Sequence, residues 1–193
     1  MLALRPSNSL ALAARPRAGR TGRAAVATRA EAKSLGKTQL NEDSYKERFE
    51  FPLVGARVDL VAKEGTVLVP VTVKRPLGIT FQGRALPVSR SKESGVVVEE
   101  VVEGSNAAGE DVAPGDVLRL TTAVFMDRKP LNELEYFSTV PKSFNRRAVF
   151  VADGQSFDKV MAALVSNGEQ IDNQETGEKE EVGEISLILE RAA

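Results

Sequence analysis

Val71-Thr72-Val73-Lys74-Arg75-Pro76-Leu77-Gly78-Ile79-Thr80-Phe81 carries most of the information in this 193-residue chain. Upstream of it, Val67, Val69, Val71 and Val73 alternate with Leu68, Pro70, Thr72 and Lys74. Period-two alternation of β-branched residues predicts a half-buried strand, and Pro70 places it at a sheet edge. Pro76-Leu77-Gly78-Ile79 then predicts a tight turn between apolar residues, followed by a short strand through Phe81. A turn of this kind can aim several backbone N–H groups at one point. With Lys74 and Arg75 directly before it, the stretch is suited to holding an anion such as a carboxylate.

The rest of the chain reads as a series of short strands with one clear helix. Val96 to Val102 predicts a third, largely buried strand after a polar loop over 82–94. Gly104-Ser105 opens one helical turn, Asn106-Ala107-Ala108, with Ser105 as its expected cap. Pro114-Gly115-Asp116 is a turn into the strand 117–120. Residues 121–147 read as a long connection holding Pro130 and Pro141, with a brief strand over 148–151. Ser156 is positioned to cap a helix over 157–166, in which Phe157, Val160, Met161, Leu164 and Val165 form an apolar stripe. Gly168 ends it. A Glu-rich loop precedes a last strand, Ile185 to Leu189. Phe49, Phe51, Leu53 and Val54 are expected to cover one edge of the domain.

Composition narrows the function. The chain has no Cys and no His, which removes thiol nucleophiles, imidazole acid–base chemistry and the usual zinc and iron–sulfur ligands. Ser156 and Lys159 sit three apart on a helix start, an ordinary capping and surface arrangement, so no enzyme activity is expected. No cofactor or metal is expected either: the run from Glu178 to Glu184 lacks calcium-loop spacing. Residues 1–30 hold six arginines (Arg5, Arg15, Arg17, Arg20, Arg23 and Arg29) and no acid. That leaves 20 of the 26 basic residues against all 27 acids, a balance of −7 for the remainder. Such a body should repel nucleic acid. No apolar run approaches the ~20 residues of a membrane span.

An Arg-rich, acid-free, hydroxyl-bearing leader predicts an organelle transit peptide over 1–30. Residues 31–65, with weak helical character around Leu40 to Arg48, read as a polar linker or N-terminal extension. The main domain spans 66–191, with an insertion at about 121–147.

The order of elements resembles a PDZ domain. Three signatures carry the likeness: Pro76-Leu77-Gly78-Ile79 resembles the carboxylate-binding loop, Glu103-Gly104-Ser105-Asn106-Ala107-Ala108 the turn and short helix, and Val112-Ala113-Pro114-Gly115-Asp116-Val117-Leu118 the turn into the fourth strand. Thr121-Thr122-Ala123-Val124-Phe125 and Phe157 to Ala163 resemble plastid-targeted PDZ-like proteins of plants and algae. The likeness departs at Asn106, where Pro is usual, at Thr121-Thr122, where Asn-Gly is common, and at Phe157, where many members carry His.

The resemblance implies a mainly β (α+β) fold, a partly open sandwich or barrel of five to six strands capped by one short and one long helix. It implies peptide binding by strand addition beside Ile79, Thr80 and Phe81. Amides of Leu77, Gly78 and Ile79 would hold a terminal carboxylate, with charge from Arg75. Leu77, Ile79, Phe81, Met161 and Leu164 would line the pocket for the last side chain, while Phe157 and Val160 would meet the one two residues earlier. Partners would be C-terminal tails or extended segments with apolar ends. The setting would be the chloroplast stroma or stromal thylakoid face, with peripheral thylakoid association, in assembly or maintenance of protein complexes. The alternative is a substrate-presenting accessory of a plastid protease.

Overall fold

The alternation at 67–73 does form a strand, but one covered on both faces. In the computed structural model, which describes residues 32–85, 94–128, 143–172 and 178–193, the chain is mainly β, with open sheets. Its strands are β1 (Lys33–Asn41), β2 (Ser44–Phe51), β3 (Ala56–Lys63), β4 (Thr66–Lys74), β5 (Ile79–Ala85), β6 (Ser94–Val101), β7 (Val117–Arg128), β8 (Ser143–Val151), β9 (Gln170–Asp172), β10 (Lys179–Glu181) and β11 (Glu184–Ala192). Among the described residues there is one α-helix, α1 (Phe157–Ser166), with the bounds that its apolar stripe predicts. Single 3-10 turns cover Pro52–Val54 and Ala107–Gly109.

Six strands make the principal sheet in the order β4-β11-β7-β6-β5, with β8 added to β7. Both β4 and β5 are therefore edge strands among the described residues, and Pro70 lies in one of them, as its missing N–H requires. One face carries Val71, Val73, Phe81, Val96, Val98, Leu118, Ile185, Leu187 and Leu189, and α1 covers it with Val160 and Leu164.

The opposite face is not solvated. Residues 33–63, expected as a polar linker with a helical tendency near 40–48, instead form the three-stranded antiparallel sheet β1-β2-β3. In β2, Tyr45, Phe49 and Phe51 fall on one face, and they pack with Leu60, Ala62, Leu68, Leu120 and Ile188 in a second core. The alternating charges between those aromatics dilute the hydrophobic signal, but period two was present in Tyr45-Lys46-Glu47-Arg48-Phe49-Glu50-Phe51. The expected edge cover by Phe49 and Phe51 is thus a core contact.

Strand β7 feeds both cores through a bulge. Leu189 pairs with Leu118 and Ile188 with Leu120, so Arg119 is the extra residue on β7. The bulge reverses the side-chain alternation, sending Leu118 into the first core and Leu120 into the second. Arg119 itself spans the two sheets. Its Nε and Nη2 donate to Asp153 at 2.6 and 2.8 Å, Nη2 donates to the Val61 carbonyl at 2.9 Å, and Nη1 pairs with Glu190. Burial pulls its pKa down, but the carboxylate partners outweigh burial and raise it.

The expected irregular connection over 121–147 is strand at both ends. β7 continues to Arg128, and β8 begins at Ser143 and pairs with it from Leu120–Val151 to Arg128–Ser143. Thr121 and Thr122, the departure from a Gly-containing turn, are fully buried mid-strand. Residues 129–142 lie outside the described residues, as do 1–31 with the predicted leader and 86–93 of the predicted polar loop. The charged segment before β11 contributes an exposed β9–β10 pairing.

Candidate functional site

The turn at 76–79 is fixed by its carbonyls. The Pro76 carbonyl accepts from Asn106 Nδ2 at 2.9 Å, that of Leu77 from the Ala107 N–H at 3.0 Å, and that of Gly78 from the Val102 N–H at 2.8 Å. Ser105 Oγ adds a longer contact to the Gly78 carbonyl at 3.4 Å. All three carbonyls point at the 102–107 turn. The peptide bonds following Pro76, Leu77 and Gly78 are trans, and in a planar trans peptide C=O and N–H point in opposite directions. The N–H groups of Leu77, Gly78 and Ile79 therefore all face away from that turn, to one side of the loop. Among the described residues, no hydrogen bond engages the Leu77 or Gly78 N–H.

Gly78 has φ +70°, and a Cβ there would lie 2.1 Å from Ser105 Cβ. Glycine is required twice over, by backbone conformation and by space. Asn106, the departure from Pro, has a task of its own in tying down Pro76. Ser105 does not cap the short helical turn; Asn106 occupies the cap position without a side-chain cap bond. Ser156 likewise sits at the N-cap of α1 without such a bond, leaving Asp158 as the acidic residue in the first turn.

Beyond the turn, β5 pairs only with β6 among the described residues. The Val102-to-Gly78 bond makes 78/102 a hydrogen-bonded position. Antiparallel ladders alternate, so Ile79, opposite Val101, turns its N–H and C=O to the outer edge. The bulge in this ladder places the extra residue, Glu99, on β6, so β5 keeps its alternation and Phe81 and Gly83 also face outward. Three turn amides and the outward groups of β5 form one continuous row of backbone donors and acceptors.

The apolar wall comes from α1. Val160, Leu164 and Phe81 are buried and form the floor, so Val160 supports the groove without facing it. Leu77, Ile79, Phe157 and Met161 are half-buried and pack against that core. Phe157, Met161 and Val165 form one i, i+4 row on the helix, and Phe157 contacts Gly83 of β5, which puts that row toward the strand. Val165, the next residue along that row, is 70% exposed. Thr80 is exposed on β5, its side chain on the sheet face opposite the groove.

Arg75 does not stand over the amides. Its Nη1 donates to the Asn167 carbonyl at 2.9 Å, tying the segment before the turn to the C-terminal end of α1, where the helix dipole favours a cation. Gly168 follows from this contact, because a Cβ there would meet Arg75 Nη2 at 2.8 Å. Asn167 is fully buried, and its Nδ2 donates to the carbonyls of Thr122, Ala163 and Leu164 at 2.6, 3.1 and 3.2 Å. Arg147 joins the same cluster through Nη2 to Thr122 Oγ1 at 3.1 Å and to the Glu184 carbonyl. Burial lowers the Arg147 pKa, opposed by Glu184 and Glu180. Nothing in the sequence singled out Asn167 or Arg147, since a polar residue just past a helix usually faces solvent.

Among the described residues no group of three or more acidic side chains is placed to hold a metal ion, and no helix is long and apolar enough to cross a membrane. Set against models of protein families, against curated proteins and against solved structures, the chain matches none.

Proposed function

We propose that this chain is a non-catalytic, PDZ-like interaction module that binds the C-terminal tail of a partner protein as an added strand on β5. The observation that carries the reading is the single-sided row of amides at Leu77, Gly78 and Ile79, continued by the outward N–H and C=O groups of Ile79 and Phe81. A terminal carboxylate satisfies three convergent N–H groups, and the preceding residues complete the ladder. An apolar last side chain would rest on Leu77, Ile79 and Met161, above Phe81 and Leu164. Arg75 acts by holding the turn against the helix and contributes its positive charge to the same end of the groove. Affinity from such an addition is roughly micromolar. With the Arg-rich leader, the reading extends to tails of plastid proteins and to assembly or maintenance of their complexes.

The test is a screen of the full chain against C-terminal peptides of plastid proteins, repeated with the Gly78→Asp variant. Binding that selects apolar ends and is lost in the variant supports the reading. Binding indifferent to Gly78 removes it.

A further inference from the structure

Asn167-Gly168 is the one Asn-Gly pair in the chain. Asparagine is a chemically labile residue, and most so before glycine, where no Cβ hinders the following backbone N from reaching the side-chain carbonyl. Here the pair sits where α1 meets the sheet, and Asn167 is 0% exposed.

The fold holds every atom that this chemistry needs. The attacking atom is the Gly168 N, and its N–H donates to the Val165 carbonyl at 2.8 Å. Asn167 has φ −63° and ψ −4°, so the Gly168 N eclipses the N of Asn167 itself. The cyclic imide closes only when the Gly168 N eclipses Cβ, which requires rotation out of the helical conformation. The leaving group, Nδ2, is held by the Thr122, Ala163 and Leu164 carbonyls. Arg75 Nη1 fixes the Asn167 carbonyl, and Ser166 Oγ accepts from the Val124 N–H at 2.9 Å, tying the helix end to β7.

We infer that Asn167-Gly168 is a one-way deamidation site, closed while the end of α1 is docked and opened when that end leaves the sheet. In the open state the Gly168 N gives up its proton and attacks Asn167 Cγ. The new C–N bond forms, the Cγ–Nδ2 bond breaks, and Nδ2 leaves as ammonia with that proton. Water then opens the imide at either carbonyl, giving aspartate or isoaspartate. Neither product redocks as asparagine does. A carboxylate donates nothing, and it would face three carbonyl oxygens away from solvent. Arg147 reaches this side chain only through Thr122 Oγ1, to which its Nη2 donates at 3.1 Å. Isoaspartate also routes the main chain through Cβ. The reaction thus converts a transient opening into a lasting one and releases Arg75 from the helix end.

The test incubates the full chain at mildly alkaline pH, native and in urea, and reads residue 167 by peptide mass mapping. In urea Asn167 should deamidate faster than any other asparagine, and in the native chain it should react at least about tenfold more slowly than in urea. Arg75→Met removes one hold without altering the dipeptide; it should speed the native reaction about tenfold and leave the urea rate unchanged. Ser166→Ala, which frees the helix end from β7, replaces it if Arg75→Met fails to fold. Asn167→Asp should exchange its amides over 163–168 at least about tenfold faster than the parent chain. Equal rates in urea and in the native chain would overturn the gating, and a faster asparagine elsewhere in urea would overturn the lability. Parent-like exchange in Asn167→Asp would overturn the one-way character.

Discussion

Replacing Gly78 with Ala separates two demands on one residue. The first is conformational: φ +70° is a left-handed backbone, costing a residue with a Cβ roughly 1–2 kcal/mol. The second is steric. The new Cβ would sit 2.1 Å from Ser105 Cβ and 2.5 Å from its Oγ, with the Ser105 Cα at 3.5 Å. Ser105 cannot simply rotate aside, because its Cβ is fixed by the backbone of the 102–107 turn that also bonds the Leu77 and Gly78 carbonyls. Overpacking of this kind costs about 1–3 kcal/mol. Together, Gly78→Ala should lose about 2–5 kcal/mol, a large part of the roughly 5–15 kcal/mol that stabilises a domain.

Gly104 provides an internal reference. Its φ is +72°, yet a Cβ there meets nothing within 4 Å, so Gly104→Ala should show the conformational cost alone. Ser105→Gly combined with Gly78→Ala should recover the steric share, visible as a coupling of about 1–3 kcal/mol in a double-mutant cycle. Urea denaturation followed by far-UV circular dichroism measures all four variants. Equal losses in Gly78→Ala and Gly104→Ala, or no recovery with Ser105→Gly, would refute the placement of Ser105 against the turn.

Other expectations follow from the same contacts. Phe49→Ala, at a fully buried position in the second core, should cost about 3–5 kcal/mol by urea denaturation; a loss under 1 kcal/mol would mean that the β1–β3 sheet does not pack on the main sheet. Arg119→Met leaves Asp153 and Glu190 without their shared cation and should cost about 3–5 kcal/mol, whereas Arg48→Met, at an exposed pair with Asp59, should leave stability nearly unchanged. Asn167→Ala removes the buried donor shared by the Thr122, Ala163 and Leu164 carbonyls and should lose about 1–3 kcal/mol, with faster hydrogen exchange at the end of α1. Gly168→Ala should displace the Arg75 guanidinium, and an unchanged Arg75 side-chain resonance would contradict that contact.

The legible parts of the fold were those in which one physical signal acts alone. Helix 157–166 shows because its apolar stripe has no competing pattern, and the turns at Gly78 and Pro114-Gly115-Asp116 because φ and hydrogen bonding leave few alternatives. The β1–β3 sheet did not, since Lys46, Glu47, Arg48 and Glu50 make its central strand read as charged although its alternate residues are aromatic. A buried glutamate, Glu47, even breaks the inward face, held by Ser34 Oγ at 2.5 Å and by Lys37 at 3.6 Å. The reversal of β7 at Arg119 was hidden as well, because a bulge shows only when the partner's register is known.

In the candidate site, the donors were anticipated from the Pro76-Leu77-Gly78-Ile79 turn. What aims them was not: Asn106, Ala107 and Val102 lie 24 to 30 residues away and act mainly through backbone groups. The attachment of Arg75 to the helix end and the packing of Phe157 on Gly83 are likewise long-range contacts that no local pattern encodes.

The most direct measurement is an amide NMR titration of the full chain with one apolar-ended peptide, first with a free carboxylate and then amidated. Tail recognition predicts that the free acid shifts the N–H signals of Leu77, Gly78, Ile79 and Phe81 most strongly, and that the amide at equal concentration leaves them in place. Equal shifts with both peptides, or shifts that leave the turn untouched, would contradict carboxylate capture by this loop.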